Sequence, residues 1–311
     1  MKKIYFVVLL MAACFTACSN SKGTETAKSP EQIRLEQVNN IDSIELRMRV
    51  NPDTIEGRSK LDSLSADSWM LIDDSTGMII SAKNAYCRRY MASITKMMTC
   101  LLALERGVMT DTIEITEDVF INKDSRVKLG QAYQMSNLIE EMMMISDNDA
   151  AYAIAKHIAG DTLQFYDIMN CKAQYLGMDS TNFANPNGMP NNNNYSSAAD
   201  LIKLARYCMR DTSFARIVGT AEKSIPLTDG RHLDARNSNA LLHTYEGCTG
   251  IKTGYTRQAG YCLASQATRN GITLTLVLLN SRSFKSRFVE SAALLDYGFR
   301  VMQAYRRNSK C

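Results

Sequence analysis

The sequence predicts an α+β fold, in which an antiparallel sheet is flanked by helices and an all-helical subdomain is inserted between its strands. Strand-like segments lie near both ends of the main domain, one hairpin before residue 82 and three strands after residue 249. Between them, at about 106–245, apolar residues recur at three- and four-residue intervals, as in amphipathic helices. With 311 residues and 45% hydrophobic content, the chain can bury a substantial core.

The first eighteen residues have the composition of an export signal. Lys2 and Lys3 precede an apolar segment at 4–13, which is much shorter than the ~20 residues that a membrane-spanning helix needs. A short apolar segment after basic residues is typical of a signal peptide. The sequence therefore predicts that the mature protein leaves the cytoplasm.

Cys18 is the predicted lipidation site. In Ala17-Cys18-Ser19 a small residue precedes a cysteine at the junction with a polar segment, as at lipoprotein processing sites. Cys14 is an alternative, and plain secretion with an incidental cysteine is another. Acyl chains contribute about 0.8 kcal/mol per buried methylene, so two or three would hold a soluble domain on a membrane. We expect residues 1–18 to be a lipoprotein signal peptide and the protein to be anchored at the periplasmic face of a membrane.

Residues 19–60 are expected to form a tether and an N-terminal segment before the main domain at 61–311. Residues 19–30 are rich in Ser, Lys, Thr and Glu, which favours a disordered linker. At 33–50 apolar residues recur first at helical and then at alternating intervals, so helix and strand both stay open for this segment.

The periodicities of the main domain predict its elements in order. A β-hairpin is expected from 68–72 and 78–81, with Gly77 in the turn. Helices are expected at 135–145, 150–159, 163–176 and 198–209. Strands are expected at 250–255, 260–267 and 272–279. The last helix, at about 284–304, has one broad apolar face and is expected to dock on the sheet, with an amphipathic membrane anchor as the alternative.

One segment is too rich in helix and strand breakers for regular structure. Residues 185–194 read Asn-Pro-Asn-Gly-Met-Pro-Asn-Asn-Asn-Asn, a dense cluster of turn-forming residues. We expect a surface loop there.

Composition and spacing exclude several classes of function. The formal charge of +4 is spread along the chain, which argues against nucleic-acid binding. The three histidines fit no metal-ligand spacing, so we expect no metal site. Neither a dinucleotide-binding nor a Walker-type glycine loop occurs, so no cofactor is expected. Seven cysteines remain after the signal, and sequence alone does not give their pairing.

Ser93-Ile94-Thr95-Lys96 is the first candidate for catalysis. A serine and a lysine three residues apart on a helix share a face. A lysine amine activates a serine hydroxyl only if burial or a neighbouring cation keeps the amine neutral. The same spacing recurs at Ser19 and Ser125 in polar segments without helical periodicity; only Ser93 precedes an apolar helix.

Two later motifs complete a triple. Ser146-Asp147-Asn148 lies at the break between two predicted helices, where an ordinary helix N-cap is the alternative interpretation. Lys252-Thr253-Gly254 lies in a predicted strand. There the lysine could simply face solvent, and the glycine weakens a strand unless another backbone approaches closely.

The three motifs, in this order, form the set found in penicillin-binding proteins and class A β-lactamases. From about 68 to 299 the chain resembles the low-molecular-mass penicillin-binding proteins, the serine-type D-alanyl-D-alanine carboxypeptidases. The segments Asn185-Pro-Asn-Gly188 and Leu295-Asp-Tyr-Gly-Phe299 belong to the likeness. The resemblance implies a β-lactamase/DD-peptidase-like fold, a catalytic domain at 61–311, peptidoglycan stem peptide as substrate and acylation by β-lactam antibiotics. Because the given sequence ends soon after the Lys252 motif and the last predicted helix, we expect the further C-terminal β-domain of some members to be absent.

The resemblance also implies roles for individual residues. Ser93 would be the nucleophile, Lys96 its proton acceptor and Ser146 the relay to the departing amine. The substrate would be bound by a second set of residues: Asn148, Lys252, Thr253, Gly254 and Tyr255. Within this set Lys252 and Thr253 would hold the terminal carboxylate, and Gly254 would let the peptide lie against the strand. The backbone N–H groups of Ser93 and Tyr255 would form the oxyanion hole.

Three rival functions remain open at this point. A serine β-lactamase is one, although no glutamate occurs between Glu141 and Glu222 to activate the deacylating water of the class A enzymes. A D,D-endopeptidase that cuts crosslinks is another. The third is a non-catalytic lipoprotein that senses β-lactams.

Overall fold

The centre of the protein is a five-stranded antiparallel sheet. It is seen in a computed structural model that describes residues 50–121, 125–228 and 230–308. The strands are β1 (Ser68–Asp73), β2 (Ile79–Lys83), β3 (Thr112–Glu114), β4 (Ala132–Gln134), β5 (Glu222–Pro226), β6 (His232–Arg236), β7 (Cys248–Thr256), β8 (Gly260–Arg269) and β9 (Ile272–Ser281). The helices are α1 (Arg58–Leu61), α2 (Lys96–Arg106), α3 (Met135–Met144), α4 (Asn148–Ala159), α5 (Thr162–Tyr175), α6 (Ala198–Met209), α7 (Thr212–Gly219), α8 (Leu241–Thr244) and α9 (Phe284–Asn308).

The sheet joins strands from both ends of the described chain in the order β2-β1-β9-β8-β7. The first hairpin pairs through β1 with β9, where Leu71 lies opposite Leu276. Because β1 lies between β2 and β9 and is covered on both faces, all six of its residues are buried. The predicted α+β class, the hairpin and the three C-terminal strands are confirmed. β7 is left at one edge, with one side free of backbone pairing in the described sheet.

Side chains alternate between two layers along each strand. Leu71 and Leu276 face α9 and join the core beneath that helix. Met70 and Val277 face the other way and join the larger core around α2. The sheet therefore separates two apolar layers, and the catalytic candidates of α2 lie in the larger one.

Helix α2 runs through the middle of the larger layer. Every residue from Lys96 to Ala103 is buried, as expected for a helix that is surrounded on all sides. Helices α4, α5, α6 and α7 contact it. This burial removes the first residue of the helix, a lysine, from water.

The inserted region is mainly helical but is not all-helical as the sequence analysis expected. Two small antiparallel ribbons occur in it, β3 with β4 and β5 with β6. Each is only three to five residues long, too short for a period-2 pattern to emerge above the surrounding helical one. Helix α7 was also not predicted, although Asp211 caps it by accepting from the N–H groups of Ser213 at 2.8 Å and Phe214 at 2.9 Å.

Helix α9 docks on the sheet, as predicted, with Leu294, Leu295 and Val301 buried. The segment before β1 packs against the same helix: Tyr297 donates from its hydroxyl to the Pro52 carbonyl at 2.9 Å, and Leu61 is buried. Packing thus involves residues from 50 onward, at the end of the 19–60 region expected to contain a tether and an N-terminal segment. Within the described residues no helix is long and apolar enough to cross a membrane. The predicted signal peptide, Cys14 and Cys18 lie outside the described residues.

Candidate active site

Ser93 lies in a 3-10 turn, Ala92–Thr95, that leads directly into α2. The sequence placed Ser93 and Lys96 on one α-helix; the structure puts the serine in the turn and the lysine at the first helical position. Side chains three residues apart eclipse each other in a 3-10 turn, and Lys96 Nζ lies 3.1 Å from Ser93 Oγ. The turn begins at Ala92 with φ of +48°, a conformation that non-glycine residues hold only where the surroundings enforce it.

Lys96 is held without contact to water. Its side chain is 0% exposed, and Nζ donates to Asn148 Oδ1 at 2.8 Å and to the Asn187 carbonyl at 2.6 Å. Burial lowers the pKa of this amine well below its ordinary value, and the charge of Lys252 lowers it further, against the opposing charge of Asp147. Both effects favour the neutral form of this amine compared with a lysine in water.

The Ser146-Asp147-Asn148 motif divides into structural and pocket residues. Asp147 is the N-cap of α4, accepting from the N–H groups of Asp149 at 2.9 Å and Ala150 at 3.1 Å, and it also accepts from Ser125 Oγ at 2.7 Å. The N-cap interpretation thus holds for Asp147 alone. Asn148 reaches Lys96. Ser146, with φ of +68°, is half-buried, and its hydroxyl has no hydrogen bond to any residue in the described ranges.

β7 carries the second buried lysine. Lys252 is 1% exposed, and Nζ donates to the Thr253 carbonyl at 3.2 Å. Burial, reinforced by the charge of Arg287, lowers the pKa of Lys252 to about 7. Thr253 Oγ1 lies 2.7 Å from Ser238 Oγ, and the Ser238 N–H donates to the Met144 carbonyl at 2.8 Å. Ser238 therefore connects β7 with the end of helix α3, two residues before Ser146.

Gly254 is needed because β7 passes close to the nucleophile turn. A Cβ at Gly254 would lie 3.0 Å from the Ser93 nitrogen and 3.1 Å from the Met91 carbonyl oxygen. The sequence analysis explained this glycine by the approach of a substrate backbone. The structure shows that the protein's own backbone makes the close approach, which places the Ser93 amide beside the edge strand.

The 185–194 segment is a part of the site that the sequence analysis did not identify. Asn187 is 0% exposed and supplies the carbonyl that binds Lys96. Gly188, at φ of +85°, packs so closely that a Cβ would lie 1.9 Å from the Ala92 carbonyl oxygen. Thr99 Oγ1 donates to the Pro186 carbonyl at 2.6 Å. The first half of the predicted surface loop is therefore buried against the nucleophile turn, while 189–193 are exposed.

Arg287 on α9 is the other residue that the sequence did not reveal. It is 4% exposed, and Nη1 donates to the Gly254 carbonyl at 3.2 Å. Its guanidinium lies over the rings of Tyr261, Phe284 and Phe288, at 5.5, 4.8 and 4.6 Å from their centroids. No carboxylate in the described part of the chain pairs with it. Three basic side chains, Lys96, Lys252 and Arg287, thus lie close together and largely buried.

The predicted site residues therefore converge to different degrees. Ser93 and Asn148 are each in direct contact with Lys96, and Lys252 is near enough to lower the pKa of Lys96. Gly254 adjoins the Ser93 turn, whereas Thr253 contacts Ser238. Tyr255 follows on β7, half exposed, with its ring stacked on Tyr261 at 4.2 Å. Among the described residues, no group of histidine, cysteine and acidic side chains could hold a metal ion.

An antiparallel sheet flanked by helices, with this site beside its edge strand, is the DD-peptidase fold. The chain matches the model of the Peptidase S11 family, described as D-alanyl-D-alanine carboxypeptidase, over residues 55–283. It therefore belongs to that family.

Individual relatives agree. D-alanyl-D-alanine carboxypeptidase DacF of Bacillus subtilis is 32% identical over 78% of this chain and 65% of its own length. DacA of Haemophilus influenzae is 34% identical over 78% and 64%. The chain thus spans slightly less than two thirds of these relatives. The crystal structure of the Streptomyces K15 DD-transpeptidase superposes with a TM-score of 0.72 at 30% identity, covering 76% of this chain and 97% of that one.

Proposed function

We propose that this protein is a serine D,D-carboxypeptidase that removes the terminal D-alanine from peptidoglycan stem peptides through an acyl-enzyme. The observation that carries the proposal is the Lys96 amine, fully buried and 3.1 Å from Ser93 Oγ. Family membership and the printed names of the relatives support the same reaction.

Acylation begins at Ser93. A neutral amine has two N–H groups and one lone pair; the two N–H groups of Lys96 go to Asn148 Oδ1 and the Asn187 carbonyl, so the lone pair is left for the Ser93 hydroxyl. Ser93 Oγ attacks the carbonyl of the penultimate D-alanine while its proton passes to Lys96 Nζ. The product is a tetrahedral intermediate with a negatively charged oxygen.

That oxygen is stabilised by the N–H groups of Ser93 and Tyr255. N–H groups in the first turn of a helix lack helical partners, and the Ser93 amide lies beside β7 at the residue before Tyr255. Each such donor is typically worth about 2.7–4 kcal/mol in the transition state. The C–N bond then breaks, and Ser146, whose hydroxyl is not engaged by any described residue, passes a proton to the departing amine.

The positive pocket selects a substrate that ends in a carboxylate. Lys252, Thr253 and Arg287 lie at the β7 end of the site, and Lys252 and Arg287 have no carboxylate partner within the described ranges. Burial without counter-ions is unfavourable for cations, and a bound carboxylate relieves it. This arrangement fits a free C-terminus and also the carboxylate of a β-lactam, which should acylate Ser93.

A D,D-transpeptidase is the second candidate, supported by the likeness to the Streptomyces K15 enzyme over 97% of its chain. The same acyl-enzyme would then be resolved by an amine instead of water. D,D-endopeptidase activity needs the same bond cleavage. A serine β-lactamase and a non-catalytic β-lactam sensor remain rivals that the assay below separates.

We further propose export and membrane attachment. The composition of residues 1–18 supports a signal peptide, and Cys18 is the lipid site, which would place the domain at the periplasmic face of a membrane. Membrane fractionation of Cys18→Ala and Cys14→Ala variants checks the assignment: only the first should release the protein.

D-alanine release from a synthetic pentapeptide ending in D-alanyl-D-alanine tests the function. We expect release by the purified protein, a stable adduct with labelled penicillin, and loss of both in Ser93→Ala. Fast β-lactam turnover without D-alanine release would indicate a β-lactamase, and an adduct without peptide turnover would indicate a sensor. An adduct that survives in Ser93→Ala would reject the mechanism.

A further inference from the structure

A cavity lies at the end of the sheet where β7 turns into β8. It has a volume of about 410 Å³ and is lined by, among others, Arg88, Tyr90, Asn192 and Gln258, together with the ion pair of Asp67 and Arg89. We refer to it as the side pocket. None of the residues assigned to catalysis or carboxylate binding lines it, so it is a separate space in the described structure.

Three residues that line the side pocket are close in sequence to segments of the active site. Tyr90 comes three residues before Ser93, and Gln258 comes two residues after the end of β7. Asn192 belongs to the 185–194 segment that binds Lys96. The Tyr90 hydroxyl donates to Asn192 Oδ1 at 3.1 Å. This hydrogen bond connects the segment before Ser93 with the 185–194 segment. The side pocket therefore adjoins β7 beyond Thr256, at the end away from Lys252.

One guanidinium in the side pocket is positioned but not neutralised. Arg88 is exposed, and its guanidinium lies 4.7 Å from the centre of the Tyr195 ring. Among the described residues, no carboxylate forms an ion pair with Arg88. Its neighbour differs: Arg89 Nε pairs with Asp67 Oδ2 at 2.6 Å. The side pocket thus has one net positive charge that is held in place by an aromatic ring.

The direction of the substrate follows from the proposed function. A peptide added to β7 with its terminal carboxylate at Lys252 and its scissile carbonyl near Tyr255 runs antiparallel to the strand. Each residue on the amino-terminal side of the scissile bond advances by about 3.4 Å along β7. The residues before the D-alanyl-D-alanine pair therefore pass Thr256 and arrive at the side pocket.

We infer that the side pocket binds a carboxylate-bearing residue of the stem peptide that precedes D-alanyl-D-alanine, with Arg88 as its charged partner. The inference rests on the proposed function and extends it to substrate selection. Tyr90 and Asn192 supply the polar wall beside the carboxylate, and Arg88 supplies a planar pair of donors suited to it.

Two peptides that differ in one charge test this. They are N-acetyl-glutamyl-D-alanyl-D-alanine and its glutaminyl counterpart, and the readout is the ratio of their kcat/KM values for D-alanine release. We expect the glutamyl peptide to be preferred by about fivefold, mainly through KM, as for a well-formed ion pair at an exposed site. Arg88→Gln should bring the ratio to within about twofold of one, and Arg88→Lys should retain part of the preference.

Arg257→Gln is the matched control. Arg257 is also exposed and stands in the turn after β7, but it does not line the side pocket, so the wild-type ratio should persist. A wild-type ratio near one, or an equal fall in both glutamine variants, would overturn the inference while leaving the carboxypeptidase intact. No D-alanine release from either peptide would instead overturn the proposed function, and this inference with it.

Discussion

The layer between the sheet and α9 and the layer between the sheet and α2 differ in what they bury. Beneath α9 the interior is mainly apolar, and Glu290 at its edge accepts from Ser65 Oγ at 2.6 Å and Ser281 Oγ at 2.8 Å. Around α2 the protein buries Lys96, and Asn187 Nδ2 has no partner within the described residues. The first layer stabilises the fold, and the second holds polar groups in an unfavourable environment that suits catalysis.

Lys96→Met should have the largest effect on activity. Removing the proposed base should lower kcat/KM for D-alanine release by about 10²–10⁴-fold. The substitution also removes a buried amine, so we expect the free energy of unfolding to change by less than about 2 kcal/mol. Kinetics and chemical denaturation on the same sample measure both quantities. Near-normal activity in this variant would contradict the assignment of the α2 layer to catalysis and of the α9 layer to stability.

Leu274→Ala should show the opposite behaviour. Leu274 is fully buried beneath α9, and truncating such a leucine costs about 2–5 kcal/mol of stability. Leu274 packs at Gly298, eleven residues along α9 from Arg287, the residue that this helix contributes to the proposed site. The substitution should therefore leave kcat/KM per folded molecule within about twofold of wild type. A large kinetic loss in fully folded protein would show that this layer also positions the site.

Gly188→Ala tests whether the close packing of the 185–194 segment positions the turn that carries Ser93. The added Cβ would meet the Ala92 carbonyl oxygen at 1.9 Å, so the turn that carries Ser93 must move. A displacement near 1 Å typically costs about 10²-fold in rate. Gly160→Ala is the matched control, because Gly160 has φ of +74° but no atom within 4 Å of its Cβ position. It should lose about 1 kcal/mol of stability and keep its kcat/KM. Equal kinetic losses in both variants would attribute the effect to the backbone angle instead of the contact.

The pH dependence of kcat/KM should distinguish the roles of Lys96 and Lys252, and it is the smallest of the predicted effects. Lys96 acts as the neutral form, so kcat/KM should rise as pH increases through its lowered pKa. Lys252 binds the carboxylate as the cation, so kcat/KM should fall above its pKa of about 7, by up to about tenfold per pH unit. A peptide with an amidated C-terminus should lack the alkaline fall. A profile that stays flat from acidic to alkaline pH would contradict both assignments.

The sequence predicted what depends on local pattern. Helix α6 was predicted at 198–209 and is observed as Ala198–Met209, because its apolar positions repeat over three turns and Ser197 caps it. The Ser93 and Lys96 pair was likewise selected from local pattern, because of the three serine–lysine spacings only this one precedes an apolar helix. The two ribbons, β3 with β4 and β5 with β6, were not predicted. Their strands of three to five residues contain too few alternations of polar and apolar residues to be recognised.

The missed parts of the site depend on contacts between distant segments. Asn187 lies 91 positions from Lys96, and its asparagine-rich surroundings are equally typical of an exposed turn. Arg287 lies 33 positions from Gly254 on a helix whose pattern indicates only docking. Proximity to the cations of the pocket arises from tertiary packing, which periodicity does not encode.

Direct titration of the lysine side chains is the most direct test of the claim that Lys96 is a neutral, buried base. NMR of protein labelled with ¹³C at the lysine ε-carbons, with assignment by Lys96→Met and Lys252→Met, gives each pKa separately. We predict that the pKa of Lys96 lies well below 10.5 and that the pKa of Lys252 is about 7. A Lys96 resonance that titrates near 10.5 would contradict the account.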